Sequence, residues 1–238
     1  MRSIIVAAIV LTSTAAFADR RAYVNTYEYL TNPRGTIELE TYSTFRDANL
    51  ATSVGDQWNH MFELEYGITD HWDVSLYQVV VQDPGKGLAY DGFKLRTRYR
   101  FGERGLFLVD PELYLEVIRT ANFAKPWKVE GKVILAKSFG AFNVSTNLIY
   151  EQNASFKSVG PEFGYAVGAG WEYSPALKLG LEAFGTFEPE DGAIEAKNFV
   201  GPVVSFAGKS IWFAIGAGAG IGEHSESLRV RSILGIGL

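Results

Sequence analysis

Residues 58–81 read WNHMFELEYGITDHWDVSLYQVVV. Two alternating segments meet at Thr69-Asp70-His71. On the first, Phe62, Leu64, Tyr66 and Ile68 share one parity, and Met61, Glu63, Glu65 and Gly67 share the other. On the second, Trp72, Val74 and Leu76 alternate with Asp73, Ser75 and Tyr77. A period of two puts the two sets on opposite faces of a strand, so the stretch reads as a β-hairpin. One of its faces is apolar and the other carries carboxylates.

The same pattern recurs along the chain. Upstream, Thr36–Arg46 sets Ile37, Leu39 and Phe45 against Glu38, Glu40 and Arg46. Downstream, Asp91–Phe101 sets Phe93, Leu95, Tyr99 and Phe101 against Lys94, Arg96, Arg98 and Arg100. A fifth strand alternates Leu113, Leu115 and Val117 with Glu112, Tyr114 and Glu116. Further strands are expected over Trp127–Phe139, Ala141–Glu151, residues following Gly160, Leu177–Phe187, Phe199–Phe206, Ile211–Ile221 and Leu228–Leu238. Strand ten of the chain, Phe199–Phe206, contains Pro202, which cannot donate to a ladder and implies a bulge. Acidic Glu188–Asn198 reads as a loop. Twelve strands result, an even number with no domain linker, joined by connections that alternate long and short. That asymmetry suits an all-β, up-and-down antiparallel transmembrane barrel with short periplasmic turns and longer outer loops. The barrel would occupy residues 36–238, preceded by a periplasmic N-terminal segment at 19–35.

Composition agrees. Aromatic residues make up 14% of 238, with 25 Gly and 2 Met, which favours strands over a helical bundle. Residues 1–18 read as a secretory signal peptide, with Arg2, an apolar core from Ile4 to Leu11 and an Ala16-Phe17-Ala18 cleavage site. No later apolar run is long enough for a spanning helix. The absence of cysteine excludes disulfides and thiolate zinc sites. A net charge of −5 gives no reason to expect nucleic-acid binding.

The aromatic residues test the barrel independently. Trp58, Trp72, Trp127 and Trp171 lie on the apolar parity at strand ends, as do Tyr99, Tyr150 and Tyr173. Amphipathic rings belong at a membrane–water interface, so the seven are expected to form two girdles. Trp212 has the opposite parity and is expected inside. The soluble alternative is a sandwich or lipocalin-like barrel, whose strands also alternate.

The leader, the twelve alternating segments and the apolar last strand resemble those of Gram-negative outer-membrane β-barrels. More narrowly, Asn32-Pro33-Arg34-Gly35-Thr36-Ile37-Glu38-Leu39-Glu40 and Leu64-Glu65-Tyr66-Gly67-Ile68-Thr69-Asp70-His71-Trp72 look like uncharacterised transport barrels of the phenol and aromatic-degradation pathway type. The resemblance implies an outer-membrane location, with membrane lipid and the barrel-assembly machinery as partners. Such barrels usually end in an aromatic residue, whereas this chain ends in Leu238.

If the apolar parity faces lipid, the opposite parity lines a charged lumen. Glu38, Glu40, Glu63, Glu65 and Asp73 gather on strands one to three, facing Lys94, Arg96, Arg98 and Arg100 on strand four, with Glu112 and Glu116 beyond. Arg46, Arg229 and Arg231 gather where strands twelve and one would close the barrel. Neighbouring strands lie about 4.8 Å apart, so a strand-four Arg can reach acids one or two strands away. These charges either fill a closed barrel as ion-paired ladders or form a constriction that orients small polar or zwitterionic solutes. A narrow passive channel is the expectation. Inward glycines Gly164, Gly168, Gly170, Gly216, Gly218 and Gly220 leave the wall of strands eight and eleven bare, which favours open space or tight packing.

Enzymatic chemistry has two footholds, of which His224, beside Glu223 and Glu226 in an outer loop, reads better as a polar loop residue than as a base or metal ligand. His60 lies on the lipid-facing parity, and Ser43 on strand one pairs with it if the register allows, the geometry of an outer-membrane lipid hydrolase. No outward carboxylate or amide is evident to orient the imidazole. Phosphate loops, paired-His metal sites and dinucleotide fingerprints are absent, so no cofactor and no metal is expected. A third possibility is a closed barrel that presents its loops for binding.

Overall fold

The computed structural model describes residues 21–50, 55–155, 160–190 and 193–238; the signal peptide expected over 1–18 lies outside them. Twelve strands follow one another: β1 (Ile37–Asp47), β2 (Gln57–Thr69), β3 (Trp72–Gln82), β4 (Ala89–Arg100), β5 (Asp110–Thr120) and β6 (Lys128–Phe139), then β7 (Phe142–Asn153), β8 (Glu162–Ser174), β9 (Leu177–Glu190), β10 (Ala193–Ala207), β11 (Ile211–Ile221) and β12 (Leu228–Gly237). Each pairs antiparallel with the next, and β1 closes on β12. Closure leaves no edge strand, so each strand pairs on both sides within the wall.

Polarity is inverted relative to a soluble domain. On β2, Glu63 and Glu65 are 0% and 1% exposed, whereas Leu64 between them is 49% exposed. The same contrast sets Arg96 and Arg98 inside against Leu95 and Tyr99 outside. Alternation along each strand thus turns the apolar set outward and the charged set inward. Trp212 points inward, as its parity requires, and its indole N–H donates to Glu38.

Two expectations are corrected. Glu188–Asn198 is mostly strand: β9 runs to Glu190 and β10 starts at Ala193, with Glu188 opposite Glu195. Lys197 Nζ sits 2.8 Å from Glu188, a cross-strand ion pair that stabilises this extension without an apolar face. Pro202 causes no bulge. Val200 pairs with Ala219 and Val203 with Gly216, so the register runs unbroken past it. The ladder toward β11 merely skips Gly201 and Pro202, where the Ala217 carbonyl presses so close that a Cβ on Gly201 would lie 1.7 Å from it. Register does shift at Val79/Val80, opposite Gly92 with its φ of 131°, a conformation that favours glycine.

The largest departure is upstream of β1. Residues 21–32, expected in the periplasm, run through the barrel interior, touching the inner faces of strands around most of the circumference. Arg21, Tyr23, Val24, Thr26, Glu28, Tyr29 and Asn32 are all buried there.

Candidate functional site

The interior is built in two halves. At the end bearing the hairpin turns 70–71, 140–141 and 175–176 (the turn end), the inner wall of β1–β4 is a sealed charge network. Arg96 Nη2 lies 3.1 Å from Glu63 and 2.8 Å from Glu65, and its Nε donates to Ser75 Oγ at 2.8 Å. Arg98 joins Asp73 at 2.7 Å to Glu65 at 3.0 Å. Register explains the reach: Asp73 is directly opposite Arg98, and Ser75 opposite Arg96, while Glu65 lies one strand further. The Tyr42 hydroxyl lies 2.8 Å from a Glu63 carboxylate oxygen and also contacts Glu40, sharing its one proton between two acids. Arg100 turns to Thr31 Oγ1 at 2.8 Å and the Asp70 carbonyl at 2.5 Å. Burying this many charges is tolerable because the acids and bases of the network answer one another, Arg100 alone being held by neutral oxygens.

The N-terminal segment completes that network. Arg21 Nη2 stands 3.2 Å from Glu40 and 3.4 Å from Glu65, adding a further base to those of β4. The segment has no ladder of its own, and its buried backbone groups are satisfied by strand side chains. Glu182 accepts the N–H groups of Val24, Asn25 and Thr26 at 3.2, 2.8 and 2.7 Å. Asn147 accepts from the Tyr27 N–H at 2.6 Å and donates to its carbonyl at 2.9 Å. Glu112 accepts from the Leu30 N–H at 2.9 Å, and Asp73 from that of Asn32 at 3.0 Å.

Three of the inward glycines, Gly168, Gly170 and Gly216, are sockets for this segment. The Tyr23 ring lies against Gly168 and Gly170, where a Cβ would approach it to 2.7 and 3.0 Å. Val24 fills the place of a side chain at Gly216, whereas at Gly218 it is Phe184 of the wall itself that does so. Sequence parity located the glycines but not their occupant, because residues 21–32 carry no periodicity. Their tyrosines were the available sign.

Toward the opposite end, bearing the longer loops, lies a cavity of about 280 Å³. Arg21, Val24, Asn25 and Tyr27 of the segment line it, together with Tyr42, Tyr77, Lys94, Glu116, Arg46 and Arg231 from the wall. Lys94 Nζ pairs with Glu116 at 3.0 Å, and Tyr114 donates to the same carboxylate at 2.7 Å. Arg229 is paired to Glu226 at 2.8 Å.

The structure brings nearly all the residues singled out on charged parities into one interior. It puts Trp58, Trp72, Trp127, Trp171, Tyr99, Tyr150 and Tyr173 on the exterior. Trp72 opposes Tyr99 near the turn end, and Tyr150 opposes Phe163 nearer the loops.

This architecture has solved counterparts. The fold is similar to that of outer-membrane channels. The COG4313 outer membrane channel from Pseudomonas putida F1 superposes with a TM-score of 0.65 at 13% identity, over 91% of this chain and 100% of that one. The NanC porin superposes with a TM-score of 0.57 at 10% identity, over 83% and 98%. No protein-family model matches the chain, and no curated protein matches it.

The exterior holds the Ser43–His60 pair. Register sets the two opposite each other, with Ser43 Oγ 2.9 Å from His60 Nδ1 and the imidazole stacked on Trp58. Among the described residues no carboxylate or amide contacts the other ring nitrogen. A triad needs that third group to fix tautomer and orientation, so the pair reads as two polar side chains satisfying each other on an apolar wall.

Proposed function

We propose that the protein is an outer-membrane channel that passively admits small polar or zwitterionic solutes, and that its N-terminal segment governs passage. The observation that carries this reading is the inverted polarity: charged side chains inside a closed wall whose exterior is apolar. The two tiers of external aromatic residues then act as girdles at the lipid–water interfaces. A leader over 1–18 would direct export, with membrane lipid and the barrel-assembly machinery as partners.

In this reading the solute enters at the loop end, past Arg46 and Arg231, and meets Lys94 and Glu116. The network of Glu38, Glu40, Glu63, Glu65, Asp73, Arg96, Arg98 and Arg100 with Glu112 lies deeper, against the segment. Twelve strands fall between barrels packed shut with side chains and those with wide channels, and the segment narrows the interior further. The finer resemblance to barrels of aromatic-degradation pathways rests on the two motifs at 32–40 and 64–72 alone.

Liposome swelling tests the proposal. Vesicles carrying the refolded protein should admit glycine and small sugars, with rates that fall steeply with solute size. Swelling no faster than in empty vesicles, from protein shown to be folded, would contradict it. A second reading is favoured by the buried segment itself: a closed barrel that acts through its loops.

A further inference from the structure

We infer that the loop-end cavity is a binding site for small oxyanions, carboxylates or phosphate, held by Arg46 and Arg231. Three guanidinium groups share the inner wall where β1 meets β12. Arg46 and Arg229 are directly opposed, and Arg231, opposite Thr44, is the next inward residue along the same strand. Like charges set directly opposite each other in a sheet repel, so this concentration needs a counter-charge.

The wall supplies only one. Glu226 holds Arg229 at 2.8 and 3.0 Å, and the Arg229 guanidinium lies 4.1 Å from the centre of the Phe199 ring. Arg46 has a single weak contact, Nη1 to Gln57 Oε1 at 3.3 Å, and its buried Nε has no partner among the described residues. Arg231 donates from Nε to Thr44 Oγ1 at 2.9 Å and reaches the Val24 carbonyl at 3.4 Å. Among the described residues, neither Arg46 nor Arg231 has a carboxylate within ion-pair distance.

Other bases around the cavity are already committed. Lys94 is paired with Glu116 at 3.0 Å, Lys132 with Glu130 at 3.0 Å, and Arg21 with Glu40. Arg119 donates to the carbonyls of Lys125 and Phe123 at 2.6 and 2.9 Å. Arg119 on β5 and Asp91 on β4 also line the cavity without an ion-pair partner among the described residues, one of each sign, whereas the unanswered charge on the β1–β12 side is positive only. A guanidinium presents a planar fork that matches carboxylate and phosphate oxygens, and such charge-assisted hydrogen bonds are the strong ones. The 280 Å³ space holds about nine waters at roughly 30 Å³ each, which suits inorganic phosphate or a short organic acid rather than a polymer. Lying inside the wall, it takes its anion from solution and not from a lipid headgroup.

This inference deepens the channel reading by naming a solute class, but it needs only entry from the loop end. The test is titration calorimetry of the full mature chain, folded in detergent, with inorganic phosphate and separately with succinate. Saturable binding that weakens with added salt is expected. Arg46→Gln and Arg231→Gln should each weaken it by about tenfold or more, the worth of one or two hydrogen bonds to a charged group. Arg231→Lys, which keeps the charge without the fork, should fall between. Each Gln substitution also removes like-charge repulsion, so both variants should resist urea at least as well as the parent, which separates lost binding from lost fold. No saturable binding by the parent, or unchanged binding in both Gln variants, would overturn the inference. Binding without conductance would refute the channel and leave the anion site standing; conductance without binding would do the reverse.

Discussion

The Arg21 guanidinium lies 3.2 Å from Glu40 and 4.6 Å from the centre of the Tyr27 ring. A residue outside the barrel wall thus supplies the positive charge that Glu40, Glu63 and Glu65 share with Arg96 and Arg98. Filling the lumen and neutralising its acidic wall are one event. Arg21→Ala should accordingly loosen residues 22–32, seen as faster amide exchange there, and lower the urea midpoint of the barrel. Unchanged exchange would show that the backbone contacts alone hold the segment.

Glu182 concentrates those backbone contacts. Its carboxylate accepts three consecutive N–H groups, from Val24 to Thr26. Glu182→Ala leaves buried donors unanswered, each costing about 1–3 kcal/mol, so the segment should become protease-sensitive between 22 and 27 while the barrel stays folded. Glu182→Gln keeps an acceptor oxygen and should show a weaker effect.

Arg96 is sealed, with Glu63, Glu65 and Ser75 around it. Arg96→Ala strands buried carboxylates and should destabilise the barrel by about 3–5 kcal/mol, measured by urea unfolding in lipid. A change in ion selectivity at unaltered stability would instead place Arg96 on the solute path.

Leu64 tests the exterior. It sits mid-strand on the outer wall between Leu39 and Leu76. Leu64→Arg should cost about 2–4 kcal/mol in a bilayer, the penalty for a base at mid-membrane on a lipid-facing strand. Little effect would mean that this face does not meet lipid.

The barrel was readable because an apolar exterior and a charged interior impose a period of two along the strands. That rule also located the Arg46, Arg229 and Arg231 group and the Ser43–His60 pair, both of which depend only on parity and register. It failed at Glu188–Asn198, where β9 and β10 extend as a hairpin with Glu188, Glu195 and Lys197 in the ladder. Strand beyond the apolar belt needs no apolar face, so alternation vanishes while pairing continues. Residues 21–32 were unreadable for a related reason. Irregular chain inside a barrel is held by strand side chains such as Glu182, Asn147 and Glu112, which leave no repeat in the segment they hold.

Cysteine offers a clean lock, since the natural chain has none. A Cβ at Gly216 would lie 2.7 Å from Val24 Cγ2, close enough for a disulfide after modest adjustment. With Val24→Cys and Gly216→Cys together, oxidation should suppress conductance and reduction should restore it. Equal conductance in both states would show that the segment does not control the path.

The most direct test of the account is single-channel recording in a planar bilayer, comparing the mature chain with a variant lacking residues 19–32. The account predicts small or infrequent steps for the mature chain and larger, sustained steps once the segment is gone. A deletion variant that remains a folded, heat-modifiable barrel yet passes no current would contradict it, because the wall's own side chains would then close the lumen.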